Sequence, residues 1–273
     1  MKKMMLTGLL MLLAVTAAHA ADGDLEAKIR ELQKAKKAKI MEIADKNKES
    51  IVIVEIVVKA TVSFNGQQRP AQEQKLRLNG TMISQDGTTV VSNSRSDPMA
   101  QLGSRAKNMP GLKIDMEVLE SKIILNDGTE VPAKVVLKDA DLDLAFVKPD
   151  EPQKDMAHVT LCPDCKPEIL DSVISVTRLD LEANRTVVIK SGSIGGIIEK
   201  PRKYYVGASS NPGLPAFNKD GKCFGLFLRR MGTSGPTGGP VILPAEEILT
   251  AVKQLKEKAR APKTDPKEEK KEE

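Results

Sequence analysis

Few residues of this chain carry the chemistry of a general base near neutral pH. Histidine, the side chain whose ordinary pKa falls in that range, occurs twice in 273 residues, as His19 and His158. Asp143 stands apart by context. It opens the apolar stretch Asp143-Leu144-Ala145-Phe146-Val147-Lys148, where a strand-end carboxylate can make local hydrogen bonds. Ser209 and Ser210 precede Asn211-Pro212-Gly213, but a serine becomes a nucleophile only beside a base. Cys162-Pro163-Asp164-Cys165 has the spacing of a local disulfide, a redox pair or half of a zinc site. No second such pair and no histidine pair completes a metal site, so none is expected. A thiol-redox role predicts an exposed pair with one cysteine at a helix N-terminus. The third cysteine, Cys223, lies in the apolar run Cys223-Phe224-Gly225-Leu226 and reads as a buried thiol. Ser191-Gly192-Ser193-Ile194-Gly195-Gly196 lacks the lysine and following helix of a phosphate-binding loop. No cofactor is expected.

The elements that must position these residues are mostly strands. Tryptophan is absent and aromatics are 3% of the chain, so a core must come from Val, Ile and Leu, which favours β structure. Ile51 to Val58 is rich in β-branched residues and reads as a strand. Further strands are predicted at 74–84, 88–93, 121–125, 131–137, 144–147, 172–176, 186–190, 193–200, 204–206, 223–228 and 240–243. Asp86-Gly87, Asn126-Asp127-Gly128 and Asp220-Gly221 supply turns between several of them. Many short strands with such turns imply an all-β sandwich or barrel.

The two ends differ from this middle. Met1, Lys2 and Lys3, an apolar run from Leu6 to Val15, and Ala18-His19-Ala20 are the parts of a secretory signal peptide over residues 1–20. The apolar run is well short of the roughly 20 residues a spanning helix needs. Cleavage would remove His19 and lower the formal net charge of +5 by two, too little to argue for nucleic acid. Residues 21–49 form an N-terminal helical segment, with Leu25, Ile29 and Leu32 on one face, joined later by Ile40 and Ile43. A C-terminal helix covers Ala245 to Ala259, with Ile248, Leu249, Val252 and Leu255 as its apolar face. Residues 261–273 are Pro, Lys, Glu and Asp apart from Ala261 and Thr264, and they read as a disordered charged tail.

Chain order narrows the fold of residues 50–260. Met82-Ile83-Ser84-Gln85-Asp86-Gly87 and Val90-Val91-Ser92-Asn93 are followed by Ile123-Ile124-Leu125-Asn126-Asp127-Gly128. Then come Asp141-Leu142-Asp143-Leu144-Ala145-Phe146-Val147-Lys148, Ser210-Asn211-Pro212-Gly213-Leu214-Pro215 and Pro240-Val241-Ile242-Leu243-Pro244. This order resembles the protease domain of the high-temperature-requirement (HtrA/Deg) group of trypsin-like serine proteases. The resemblance implies a chymotrypsin/trypsin-like double β-barrel with a cleft between the barrels.

Position by position, the resemblance implies a triad reduced to its aspartate, Asp143. Alignment places Arg95 at the histidine, or Ser94 if the register slips by one. Neither is a base near pH 7. Arg95 beside Asp143 is expected to form a salt bridge across the old active site. His158 lies fifteen residues beyond Asp143, in the link between barrels. Alignment places Pro212 at the nucleophile, with neither a hydroxyl nor the backbone N–H of an oxyanion hole. The alternative, a deletion after Asn211-Pro212-Gly213, also leaves no serine there. The expectation is an exported, non-catalytic trypsin-like domain that binds a peptide or protein in the cleft near Asp143, Ser210, Asn211 and Gly213. The competing reading is an active endopeptidase with a non-standard arrangement, which predicts a serine within hydrogen-bond reach of His158. The sequence does not name the partner or the oligomeric state.

Overall fold

A computed structural model describes residues 2–96, 109–208, 210–232 and 235–260. Two compact units divide the chain, one running through Asp45 and one beginning at Lys46. The first is dominated by helix α1, Lys2–Asn47, unbroken across the expected cleavage position. Ion pairs Lys28–Asp24 and Arg30–Glu26, each one helical turn apart and exposed, add a few tenths of a kcal/mol apiece. Leu25, Ile29 and Leu32 are exposed. Among the described residues no helix is long and apolar enough to cross a membrane.

The second unit begins with a short 3-10 turn at Lys48–Ser50 and folds into two closed antiparallel barrels. The first barrel uses β1 (Ile51–Phe64), β3 (Gln72–Met82), β4 (Thr89–Ser92), β5 (Leu112–Ile124), β6 (Glu130–Asp139) and β7 (Leu144–Pro149). The order β1-β3-β4-β7-β6-β5 closes by pairing β5 back onto β1, and the two-residue β2 (Gln67–Gln68) pairs with the end of β1. Alternate residues Val52, Val54, Ile56 and Val58 enter the core, beside Leu78, Val91, Ile123 and Val147, as the two-residue period of a strand requires.

The other face of β1 carries Glu55, only 3% exposed. Register explains how a buried carboxylate is tolerated there. Glu55 stands directly opposite Arg77 on β3 and Lys122 on β5, and their cations lie 2.8 and 3.3 Å from its two oxygens. The hydrogen bond from Arg77 leads the effects that hold the Glu55 carboxyl below its ordinary value of 4.5.

The second barrel runs β10 (Tyr204–Gly207), β13 (Gly235–Pro244), β12 (Cys223–Gly232), β11 (Pro215–Phe217), β8 (Ser172–Arg178) and β9 (Val187–Ile198). Its core holds Tyr205, Phe224 and Phe227 with Val173, Ile194 and Ile242. Tyr205 and Phe224 meet edge to face at 5.7 Å, a favoured aromatic geometry. Helix α3, Ala245–Arg260, follows β13 and buries Ile248 and Ala251. The residues expected as a disordered tail lie outside the described residues.

The strands at 186–190 and 193–200 are one continuous β9. Glycine read as a break at Gly192, yet β9 pairs with β8 up to Ser172↔Ser193 and then with β10 from Gly207↔Ile194 onward. A glycine is required there by close packing, since a Cβ would sit 2.7 Å from that of Ala208. Strand β11 is an addition to the sequence reading.

Candidate functional site

Asp143 is the last residue before β7 and has φ +58°, a left-handed conformation that aspartate adopts more readily than most residues. Its carbonyl accepts the Asn93 N–H at 2.9 Å, one step beyond the Ser92↔Leu144 pair of β4 and β7. That extends the strand pairing into helix α2, Asn93–Ser96. The carboxylate, fully buried, accepts three hydrogen bonds. Oδ1 accepts the Ser94 N–H at 2.6 Å, and Oδ2 accepts the Ser92 hydroxyl at 2.7 Å and the Arg229 N–H at 2.8 Å. Such charge-assisted bonds are about twice as strong as neutral ones. Through Arg229, on β12, the carboxylate ties the first barrel to the second.

The expected salt bridge between Arg95 and Asp143 is absent. Three other donors occupy the carboxylate, and Ser94, fully buried, is the residue drawn against it. The Ser94 hydroxyl lies 3.2 Å from that of Ser92. Arg95 is exposed and lines the rim of a cavity instead.

That cavity, about 220 Å³, lies between the barrels. Arg77, Asn79 and Arg95 reach it from the first barrel, and Asn211, Pro212 and Arg229 from the second. Gly213 beneath it has φ +93°, and a Cβ there would stand 2.3 Å from the Asn79 carbonyl, so only glycine fits. Its N–H donates to the Phe227 carbonyl at 2.7 Å, while its own carbonyl accepts from Thr81 Oγ1 at 2.6 Å. Pro212 has no N–H and that of Gly213 is spent internally, so neither supplies an oxyanion donor. Ser210 is buried and pairs with Ser175, Oγ to Oγ, at 3.0 Å. Ser209 lies outside the described residues.

His158 is exposed, in the segment linking β7 to β8, and its Nδ1 lies 2.9 Å from the Met156 carbonyl. Among the described residues, no serine hydroxyl is hydrogen-bonded to this imidazole. Cys162 and Cys165 are joined as a disulfide in the same link, outside any helix. The Cys162 N–H donates to the Cys223 carbonyl at 2.7 Å. Burial pushes the Cys223 thiol up to about 12. Among the described residues no group of three or more His, Cys, Asp or Glu side chains is placed to hold a metal ion.

A family model for the trypsin-like peptidase domain matches residues 78–226, from β3 to β12. The chain belongs to that family. The structure places β1 and β13, which close the two barrels, outside the matched stretch. A probable periplasmic serine endoprotease, DegP-like, from Rhizobium meliloti (strain 1021) is 33% identical over 140 residues, covering 49% of this chain. The match spans 28% of the relative's own length. Within this trypsin-like frame the site contains residues that motif order alone did not reveal. Ser92 was visible only as part of a strand. Arg77, Asn79 and Arg229 carry no local signal, because closure of the barrels, and not spacing along the chain, brings them to the cleft.

Proposed function

We propose that this is a non-catalytic trypsin-like domain, a pseudoprotease, that binds a peptide or protein segment in the cleft between its barrels. The observation that carries the reading is that, among the described residues, no imidazole is hydrogen-bonded to the Asp143 carboxylate. In a working triad this carboxylate receives an imidazole N–H and stabilises the imidazolium that forms. Here its oxygens serve Ser92, Ser94 and Arg229, and the histidine outside the leader is occupied by Met156 in another segment. With Pro212 at the aligned nucleophile position, base and nucleophile are missing together. Binding does not need them, because an extended peptide is held largely through backbone hydrogen bonds and side-chain pockets.

The leader pattern at residues 1–20, together with a relative whose name places it in the periplasm, supports action outside the cytoplasm. That relative is also named an endoprotease, which favours the competing reading of a serine endopeptidase with displaced catalytic residues. A serine-reactive fluorophosphonate probe separates the two: the pseudoprotease stays unlabelled, and covalent labelling at one serine overturns it.

A further inference from the structure

The inter-barrel cavity is walled by cations with little opposing charge. Arg77 is committed through Nε to Glu55 at 2.8 Å. Arg95 and Arg229 also line the cavity, and among the described residues neither guanidinium has an acidic partner. Asp180 and Glu182 act on Arg77 by charge alone, and the two carboxylates hydrogen-bonded at this wall are already engaged. Asp143 is fully buried and bonded to three donors, and Glu55 is engaged by Arg77 and Lys122. On the same wall, Asn79 Oδ1 is buried without a hydrogen-bond partner, although buried polar atoms are nearly always satisfied.

From this arrangement we infer that the cavity recognises a carboxylate carried by a peptide, with Arg95 and Arg229 gripping it from opposite barrels. The inference rests on the peptide-binding reading above and specifies its ligand chemistry. A planar guanidinium matches a carboxylate through two parallel hydrogen bonds, a geometry lysine does not reproduce. Size points the same way. At about 220 Å³ the cavity falls below the roughly 300–1,000 Å³ of small-molecule pockets. It suits one acidic side chain or a chain terminus, not a cofactor. Asn79 Oδ1 at its wall, an acceptor, can take an N–H of the same peptide.

The test uses the full chain and three fluorescent Val/Thr heptapeptides. The first is blocked at both ends with a central Glu, the second is the same with a central Gln, and the third is the Gln peptide with a free C-terminal carboxylate. Anisotropy titrations are expected to show one or both carboxylate-bearing peptides binding about tenfold tighter than the blocked Gln peptide, the size of a charged hydrogen-bond pair. Comparison of the first and third identifies side chain or terminus as the source. Arg95→Gln and Arg229→Gln are each expected to reduce that preference several-fold. Arg95 is exposed, and the bond from Arg229 to Asp143 is made by its backbone, so both variants retain the contacts that hold the fold. Equal binding of all three peptides overturns carboxylate recognition and leaves peptide binding standing. A preference undiminished in both variants overturns the assignment to this cavity. No binding by any of the three up to millimolar concentration overturns the peptide-binding reading as well. Fluorophosphonate labelling bears on catalysis alone and leaves this preference unaffected.

Discussion

Asp143 ties two barrels together through its carboxylate. Two backbone N–H donors and one hydroxyl end on its carboxylate, without solvent access. Removing the acceptor strands buried donors, each costing on the order of 1–3 kcal/mol. Asp143→Ala is therefore expected to lower unfolding free energy by about 3 kcal/mol in a urea titration; a loss below 1 kcal/mol would contradict this structural role. The sequence made Asp143 conspicuous, and it made the lack of a partner histidine countable. It did not reveal which donors meet this carboxylate, because a serine backbone N–H leaves no mark on residue type. Cys223 shows the same division. Its apolar neighbours pointed to burial, and the structure adds a thiol pushed up to about 12 by that burial. Since the thiolate is the reactive form, iodoacetamide at pH 8 is expected to leave Cys223 unmodified in the native protein and to alkylate it after unfolding. Rapid alkylation of the folded protein would count against the packing.

Among the elements, β1, β3 and β5 bear the clearest consequence of register. A one-residue slip of β1 would exchange Val54 and Ile56 for Glu55 in the core, and the Arg77–Glu55–Lys122 alignment across three strands opposes that slip. Glu55→Gln leaves two cations without their shared carboxylate and is expected to cost on the order of 2 kcal/mol, between the values for exposed and buried pairs. Its pH dependence follows from the lowered carboxyl. The unfolded chain binds the proton at a higher pH than the native one. The stabilisation is therefore complete above about 4.5 and is lost as pH falls through the folded value. Stability of the native chain should fall more steeply with acid than that of Glu55→Gln; parallel curves would refute the assignment. The β-branched run at 51–58 announced β1 plainly. Strand β9 was divided in the sequence reading at residues 191–192, whereas Gly192 is a packing glycine, its missing Cβ leaving room for Ala208. Strand β11 escaped notice because three residues, Pro215–Phe217, are too short for any period to show.

At the scale of the whole molecule, the order of motifs along the chain sufficed to anticipate two barrels, and barrel closure supplies what order cannot. Asp143, Arg95 and Asn79 come from the first barrel and Asn211, Pro212 and Arg229 from the second, so the cleft exists only once both have closed. The trypsin-like architecture carries a cleft lined by arginines, which fits the proposed role in binding. Incubation of the full chain with a fluorophosphonate probe at neutral pH, followed by intact-mass and peptide mapping, tests this most directly. The account predicts no adduct on any serine, in conditions where an active trypsin-like protease is labelled to completion. Stoichiometric labelling of a single serine, abolished by prior unfolding, would contradict it.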